Sequence, residues 1–152
     1  MDRNHATKKT IKNNIRKAIQ IFIEKDKKLL MQVNVHEVAI SHRIAVYLEH
    51  LFPNLDIDCE YNKHYDGSSK QSDGAKIRPD IIIHHREYLN AVAIFEIKKA
   101  GPNSQLGKSD IKKLKKAQKN LRYKIGVYIG VLKRNVYIVW ISDGKELERE
   151  IL

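Results

Sequence analysis

Cysteine is almost missing from this chain: Cys59 is the only one. No internal disulfide can form, and a lone thiol offers no zinc-ligand spacing. Aromatic residues make up only 7%, with one tryptophan. Few of them interleave with basic residues, so the base-stacking platforms of single-strand binders are not evident. No apolar run approaches the roughly 20 residues that span a bilayer. The N-terminal residues, MDRNHATKKT, contain no apolar signal core. A reducing, cytoplasmic setting is the expectation. The 152 residues are the length of one domain and can bury a core without disulfides or structural metal.

Acidic residues are also scarce. There are 18 Asp and Glu against 29 Lys and Arg, a formal net charge of +11. Such a balance favours a polyanionic partner, either nucleic acid or an anionic membrane surface. The plainer alternative is a basic but unspecialised surface. One basic block is N-terminal (Arg3, Lys8, Lys9, Lys12, Arg16, Lys17, Lys25, Lys27 and Lys28), and a second runs over residues 108–124. The C-terminal segment is acidic instead, with Asp143, Glu146, Glu148 and Glu150.

Ile11, Ile15, Ile19, Phe22 and Ile23 recur at helical spacing, so residues 10–25 read as an amphipathic helix. A second helix is expected over 35–51, with Asn34 as N-cap, Glu37 as capping-box partner and Pro53 beyond its end. Ile57, Cys59 and Tyr61 alternate with Asp58, Glu60 and Asn62, the period of a strand. Residues 66–76, DGSSKQSDGAK, read as a long loop. A short strand over 81–83, a turn over 84–90 and an apolar strand over 91–98 follow. Ser109 or Asp110 can cap a helix with Ile111, Leu114, Ala117 and Leu121 on its inner face. Strands at 125–131 and 136–141 complete the series. Helices interspersed with strands imply an α/β domain, a mixed central sheet flanked by helices. Residues 1–152 form a single unit, with 1–33 as an N-terminal helical extension and 34–141 as the core.

The chemistry centres on one strand. Alternation puts Glu96 and Lys98 on one face and Ile97 on the other. Asp80 stands at the start of the preceding strand. If the two strands pair through the 84–90 turn they are antiparallel, and Asp80 lies beside Glu96 and Lys98. Two carboxylates at a mostly apolar sheet repel each other unless protonated or bridged by a cation. Their oxygens suit Mg²⁺, with Mn²⁺ as substitute. A neighbouring lysine can orient or deprotonate an attacking water, or stabilise charge in the transition state. An acidic residue two before a lysine is a weak pattern by itself. It recurs at Asp26/Lys28, Asp110/Lys112 and Asp143/Lys145. Only Glu96/Lys98 ends an apolar strand preceded by a Pro-Asp strand. The plainer alternative is an ion pair at a strand end.

Arg78-Pro79-Asp80-Ile81-Ile82-Ile83 followed by Ala93-Ile94-Phe95-Glu96-Ile97-Lys98-Lys99 resembles the PD-(D/E)xK nuclease superfamily. The similarity in flanking elements extends over about residues 35–141. The resemblance implies a restriction-endonuclease-like core in which Asp80, Glu96 and the Ile97 carbonyl hold metal and Lys98 acts on the water. It implies DNA as substrate, cut endonucleolytically. It also makes Glu37 a further active-site carboxylate that can hold metal, a reading preferred here over the capping box.

Lys76, Arg78, Lys99, Lys112, Lys116 and Lys119 are the candidate DNA contacts, since phosphates need neutralising. Asp58 and Glu60 either extend the acidic cluster or face solvent. His84 and His85 point to opposite sides of their strand, and a surface turn suits them better than a metal site. Two other functions compete: a nucleic-acid-binding module that keeps the fold without cutting, and a DNA-junction resolvase acting as a homodimer.

Overall fold

The apolar stripe of residues 11–23 needs a partner surface, and it finds one across a sheet. The computed structural model describes residues 7–64, 66–87 and 90–152. Arg3 of the basic block and residues 88 and 89 of the expected turn lie outside them. Helix α1 (Lys8–Phe22) is capped by Thr7, whose side chain accepts the Thr10 N–H at 3.2 Å. It continues through a π-helical turn (Ile23–Lys27) into α2 (Lys28–Gln32). The helix therefore outruns the expected end near residue 25. Periodicity fades there, and tertiary bonds take over. Asp26 accepts from the Arg43 guanidinium at 3.3 Å and from the Tyr47 hydroxyl, and Lys27 Nζ donates to the Lys133 carbonyl at 2.6 Å.

Helix α3 (Glu37–Leu51) starts later than expected. His36 occupies the N-cap position without a side-chain cap bond, and Asn34 sits at φ 50. Asn34 is thus not the cap, and Glu37 is not a capping-box partner. The strands are β1 (Asp56–Cys59), β2 (Gln71–Ser72), β3 (Ala75–Lys76), β4 (Ile81–His85), β5 (Asn90–Lys98), β6 (Ile125–Val131), β7 (Val136–Ser142) and β8 (Lys145–Ile151). Helix α4 (Gln105–Asn120) joins β5 to β6.

The main sheet has the order β1-β4-β5-β6-β7-β8. Its β5–β6 pair is parallel, as a helical crossover requires, and the other pairs are antiparallel. The chain is an α/β protein with a mixed six-stranded sheet. Two parts were not expected. The 66–76 segment is not all loop, because β2 and β3 form a hairpin whose turn places Asp73 at φ 52 and Gly74 at φ 75. Asp-Gly is the dipeptide that such a turn favours. Strand β8 was hidden because KELEREI carries charge on an exposed edge.

Alternation along the strands splits the core in two. Ile81, Ile83, Phe95, Ile97, Val127 and Ile129 pack with Ile11, Ile15, Ile19, Ile40, Ile44 and Leu48 of α1 and α3. Ile82, Ile94, Tyr128, Val139 and Ile141 pack with Ile111, Leu114 and Ala117 of α4. Each buried branched side chain stabilises by about 2 kcal/mol. Charge closes the outer edge. Arg16 holds Glu150 through two bonds of 2.7 and 2.8 Å, Lys12 pairs with Glu148, and the indole N–H of buried Trp140 donates to Glu150. Part of the N-terminal basic block is therefore neutralised by the acidic tail.

Helix α4 begins at Ser104, whose hydroxyl accepts the Gly107 N–H at 3.0 Å, and not at Ser109 or Asp110. Asp110 is consequently a buried residue inside the helix. The connection from β5 into this helix folds back tightly against both the helix start and β6. A Cβ on Gly107 would sit 2.1 Å from the Gly101 carbonyl oxygen, and one on Gly130 would sit 2.5 Å from that of Ala100. Gly→Ala inside a helix normally stabilises by up to about 1 kcal/mol. Here the clash reverses the sign. Gly107→Ala is expected to cost about 2 kcal/mol or more, read as a lower urea midpoint. A raised midpoint would mean that the helix can move away freely.

Candidate active site

The antiparallel pairing expected of β4 and β5 is present, with Ile81 opposite Phe95 and Ile82 opposite Ile94. One further step of this register sets Asp80 against Glu96. Two bonds fix the arrangement. The Asp80 N–H donates to the Phe95 carbonyl at 3.2 Å, and the Ile97 N–H donates to Asp80 Oδ2 at 2.6 Å. Glu96 and Lys98 share the face of Ile94, which looks toward α4. Ile97, 1% exposed, anchors the strand in the opposite core.

Lys98 Nζ lies 3.5 Å from Glu96 Oε1 and 3.9 Å from Asp110 Oδ2. Asp110 belongs to the site although it was read as a helix cap. Its Oδ2 is buried and has no hydrogen-bond partner. The only signal in the sequence was the acid-x-lysine pattern dismissed at Asp110/Lys112. Recognising it required placing the start of α4 at Ser104, which turns Asp110 inward.

Glu37 approaches from α3. Its Oε2 accepts the Lys99 N–H at 2.7 Å. It lines a cavity of about 320 Å³ together with Asp80, Glu60, Ser41, Cys59 and His36. Glu60 and Asp58 do not share a face as strand alternation had suggested. Strand β1 stops at Cys59, Glu60 turns with φ 51, and Asp58 bonds His84 and Arg86 instead. The expected surface turn is likewise corrected for His84, which is 8% exposed and bound to Asp58 at 2.7 Å.

The candidate DNA contacts divide. Lys76, Arg78, Lys112, Lys116 and Lys119 are exposed, and Lys116 pairs with Asp73 at 3.0 Å. Lys99 is occupied by the backbone. Its Nζ donates to the Val35 carbonyl at 2.6 Å and to Asn34 Oδ1 at 3.0 Å, which pins the start of α3 to the end of β5.

Burial pushes the Glu96 carboxyl up to about 7, with the Asp80 charge adding to the effect and Lys98 opposing it. Burial also raises Asp80; the Ile97 N–H and Lys98 oppose this, and Glu37 and Glu60 reinforce it. Burial lowers Lys98, but Glu96, Asp110, Glu37 and Asp80 outweigh it, so the ammonium is raised overall. Glu96 is the group that gives way near neutrality, while Lys98 keeps its charge.

A cation would relieve this crowding. Asp80, Glu96 and the Ile97 carbonyl supply only hard oxygen donors, the set that suits Mg²⁺ with water and substrate as its other ligands. Among the described residues, no group of three or more His, Cys, Asp or Glu is clustered to hold a metal ion alone. The bond from Glu37 to the Lys99 backbone fits that finding. Comparison of the chain with known protein families, curated proteins and solved structures found no match.

The shift of Glu96 has a thermodynamic sign. Between its ordinary value of 4.5 and about 7, the folded state holds a proton that the unfolded state has released. Stability from this group is therefore complete below pH 4.5 and falls as pH rises to about 7, by at most about 3 kcal/mol. In chelator, Glu96→Gln is expected to raise the melting temperature at pH 8 and to leave it nearly unchanged at pH 4.5. An equal effect at both pH values would assign the carboxyl an ordinary titration.

Proposed function

We propose that this chain is a metal-dependent nuclease of the PD-(D/E)xK type that hydrolyses DNA phosphodiester bonds within a strand. The observation carrying the reading is the meeting of half-buried Asp80, Glu96 and Lys98 where the start of β4 pairs with the end of β5, with Asp80 pinned by the Ile97 N–H. Asp80, Glu96 and the Ile97 carbonyl would hold Mg²⁺. When bound, such a cation lowers the pKa of water and offsets charge on a phosphate.

The chain's own residues have distinct tasks. Asp80 keeps a fixed orientation because one of its oxygens is held at 2.6 Å by Ile97. Lys98 is charged near neutrality, so it orients water and stabilises negative charge rather than removing a proton. Asp110, at 3.9 Å from Nζ, is a positioning residue for that ammonium. Glu37 ties the start of α3 to the end of β5 at the rim. Lys76, Arg78 and the α4 lysines would contact phosphates without reading sequence. DNA in place of RNA rests on the resemblance of the motif. Among the described residues no three-residue ligand cluster is present, and the competing reading is a binding module that does not cut.

The test is cleavage of supercoiled plasmid in Mg²⁺ and in Mn²⁺, paired with calorimetric titration of Mg²⁺. Wild-type chain should cut. Asp80→Ala, Glu96→Ala and Lys98→Ala should each lose about 100-fold or more. The two acidic variants should also lose the heat of Mg²⁺ binding, while Lys98→Ala retains it. Cleavage undiminished in the variants would remove these residues from the mechanism. DNA binding without cleavage in either metal would establish the competing reading.

A further inference from the structure

A second cavity, of about 470 Å³, lies at the far end of the same strands. It is bounded by the segment before β2, the end of β4, the start of β5 and the end of α4. Asn90 at the cavity and Lys98 are the two ends of strand β5, so at about 3.3 Å per residue the cavity is roughly 20 Å from Glu96 and roughly 25 Å from Lys98. Its lining includes Lys70, His64, His84, His85, Arg122 and Tyr123, and no described lining residue is an aspartate or glutamate.

Lys70 is the informative residue. It is 4% exposed, its Nζ donates to the Lys63 carbonyl, and it lies 5.7 Å from the Tyr61 ring centre. Among the described residues no carboxylate pairs with it. A buried ammonium without a partner anion is costly. Two acidic groups of the adjoining segments are engaged elsewhere. Asp58 is bound by the Arg86 guanidinium at 2.9 Å and by His84 at 2.7 Å, and Asp66 accepts from Ser68 at 2.9 and 2.6 Å. Burial lowers the Lys70 ammonium, and only the more distant Asp58 charge opposes that shift. The walls are also held in place. Asn120 of α4 bonds Ser72 of the hairpin at 3.1 Å, and the Tyr61 and His84 rings pack at 5.0 Å.

We infer that this cavity binds a phosphate-bearing ligand of mononucleotide size, its phosphate taken by Lys70 and Arg122 and its body seated beside the Tyr123 and His84 side chains. A volume of 470 Å³ is at the small end of ligand pockets, which run from about 300 to 1,000 Å³. That admits one nucleotide and not an extended strand. Exposed Arg122 stands at the mouth and buried Lys70 inside. The inference does not depend on the nuclease reading.

Calorimetric titration of the full chain in chelator tests it, with a nucleoside 5′-monophosphate, the matching nucleoside and inorganic phosphate. The monophosphate should bind, the nucleoside should not, and inorganic phosphate should compete. Arg122→Glu should weaken binding by about tenfold or more. Lys70→Met should do the same if its melting curve remains cooperative, and Arg122→Glu decides alone if it does not. Asp80→Ala should leave the affinity unchanged, which separates this cavity from the other site. No binding, equal binding of the nucleoside, failure of phosphate to compete, indifference to Arg122→Glu, or loss of binding in Asp80→Ala would each overturn the inference. A 5′-phosphorylated dinucleotide binding more tightly than the monophosphate would identify the source as a strand end. The reverse order would identify a free nucleotide.

Discussion

The bond from the Ile97 N–H to Asp80 Oδ2, at 2.6 Å, joins the fold to the candidate site. An ordinary sheet ladder would satisfy that N–H with a backbone carbonyl. Here a side chain does it, just before β4 begins, so the last ladder position becomes a carboxylate. The bond fixes the register of β4 on β5 and fixes which way Asp80 points. Glu96 then stands opposite, and Lys98 follows two residues later on the same face. Moving the register by one residue would send these groups to the core of α1 and α3.

The second constraint is the tight connection from β5 to α4. Gly107 and Gly130 allow backbone contact where any side chain would collide with the Gly101 or Ala100 carbonyl. The connection starts α4 at Ser104, and the helix then carries Asp110 to within 3.9 Å of Lys98 Nζ, its Oδ2 buried without a hydrogen bond among the described residues. Such an orphaned oxygen costs about 1–3 kcal/mol. The fold retains it beside an ammonium that Glu96 flanks as well, at 3.5 Å. Packing and electrostatics thus oppose each other here, and strain of this kind concentrates at functional sites.

Much of this was legible in the sequence, for physical reasons. The apolar stripes of α1 and α3 and the runs of β5, β6 and β7 follow simple periods, and burial on one or both faces enforces them. The pairing of β4 with β5 followed from a short connection between two apolar runs, and it predicted the meeting of Asp80 with Glu96 and Lys98. What was missed lies where local pattern and tertiary contact diverge. Asp110 was read as a cap because Ser104, the actual cap, stands six residues before it. The role of His84 depends on Asp58 and Arg86, which alternation within one strand cannot reveal. Strand β8 is recognisable only through the partners Lys12 and Arg16, far away in the chain.

The distribution of charge bears on the proposed partner. A net charge of +11 suggests a uniformly attractive surface for a polyanion, but the ion pairs redistribute it. Lys12 and Arg16 are engaged by Glu148 and Glu150, and Lys99 by backbone and Asn34. Lys76, Arg78, Lys112 and Lys119 remain exposed, and among the described residues none pairs with a carboxylate. All are on β3, α4 or the approach to β4, and α4 covers the face that carries Glu96 and Lys98. The candidate site itself is the reverse, with Glu96 at 3.5 Å and Asp110 at 3.9 Å from Lys98 and Asp80 bound to Ile97 between them in the chain. An acidic site inside a basic rim discriminates between two kinds of ion. A polyanion is attracted to the rim and repelled by the floor, and a divalent cation is attracted to the floor. Placing both together neutralises each against the other, which is the electrostatic requirement of the proposed phosphodiester chemistry.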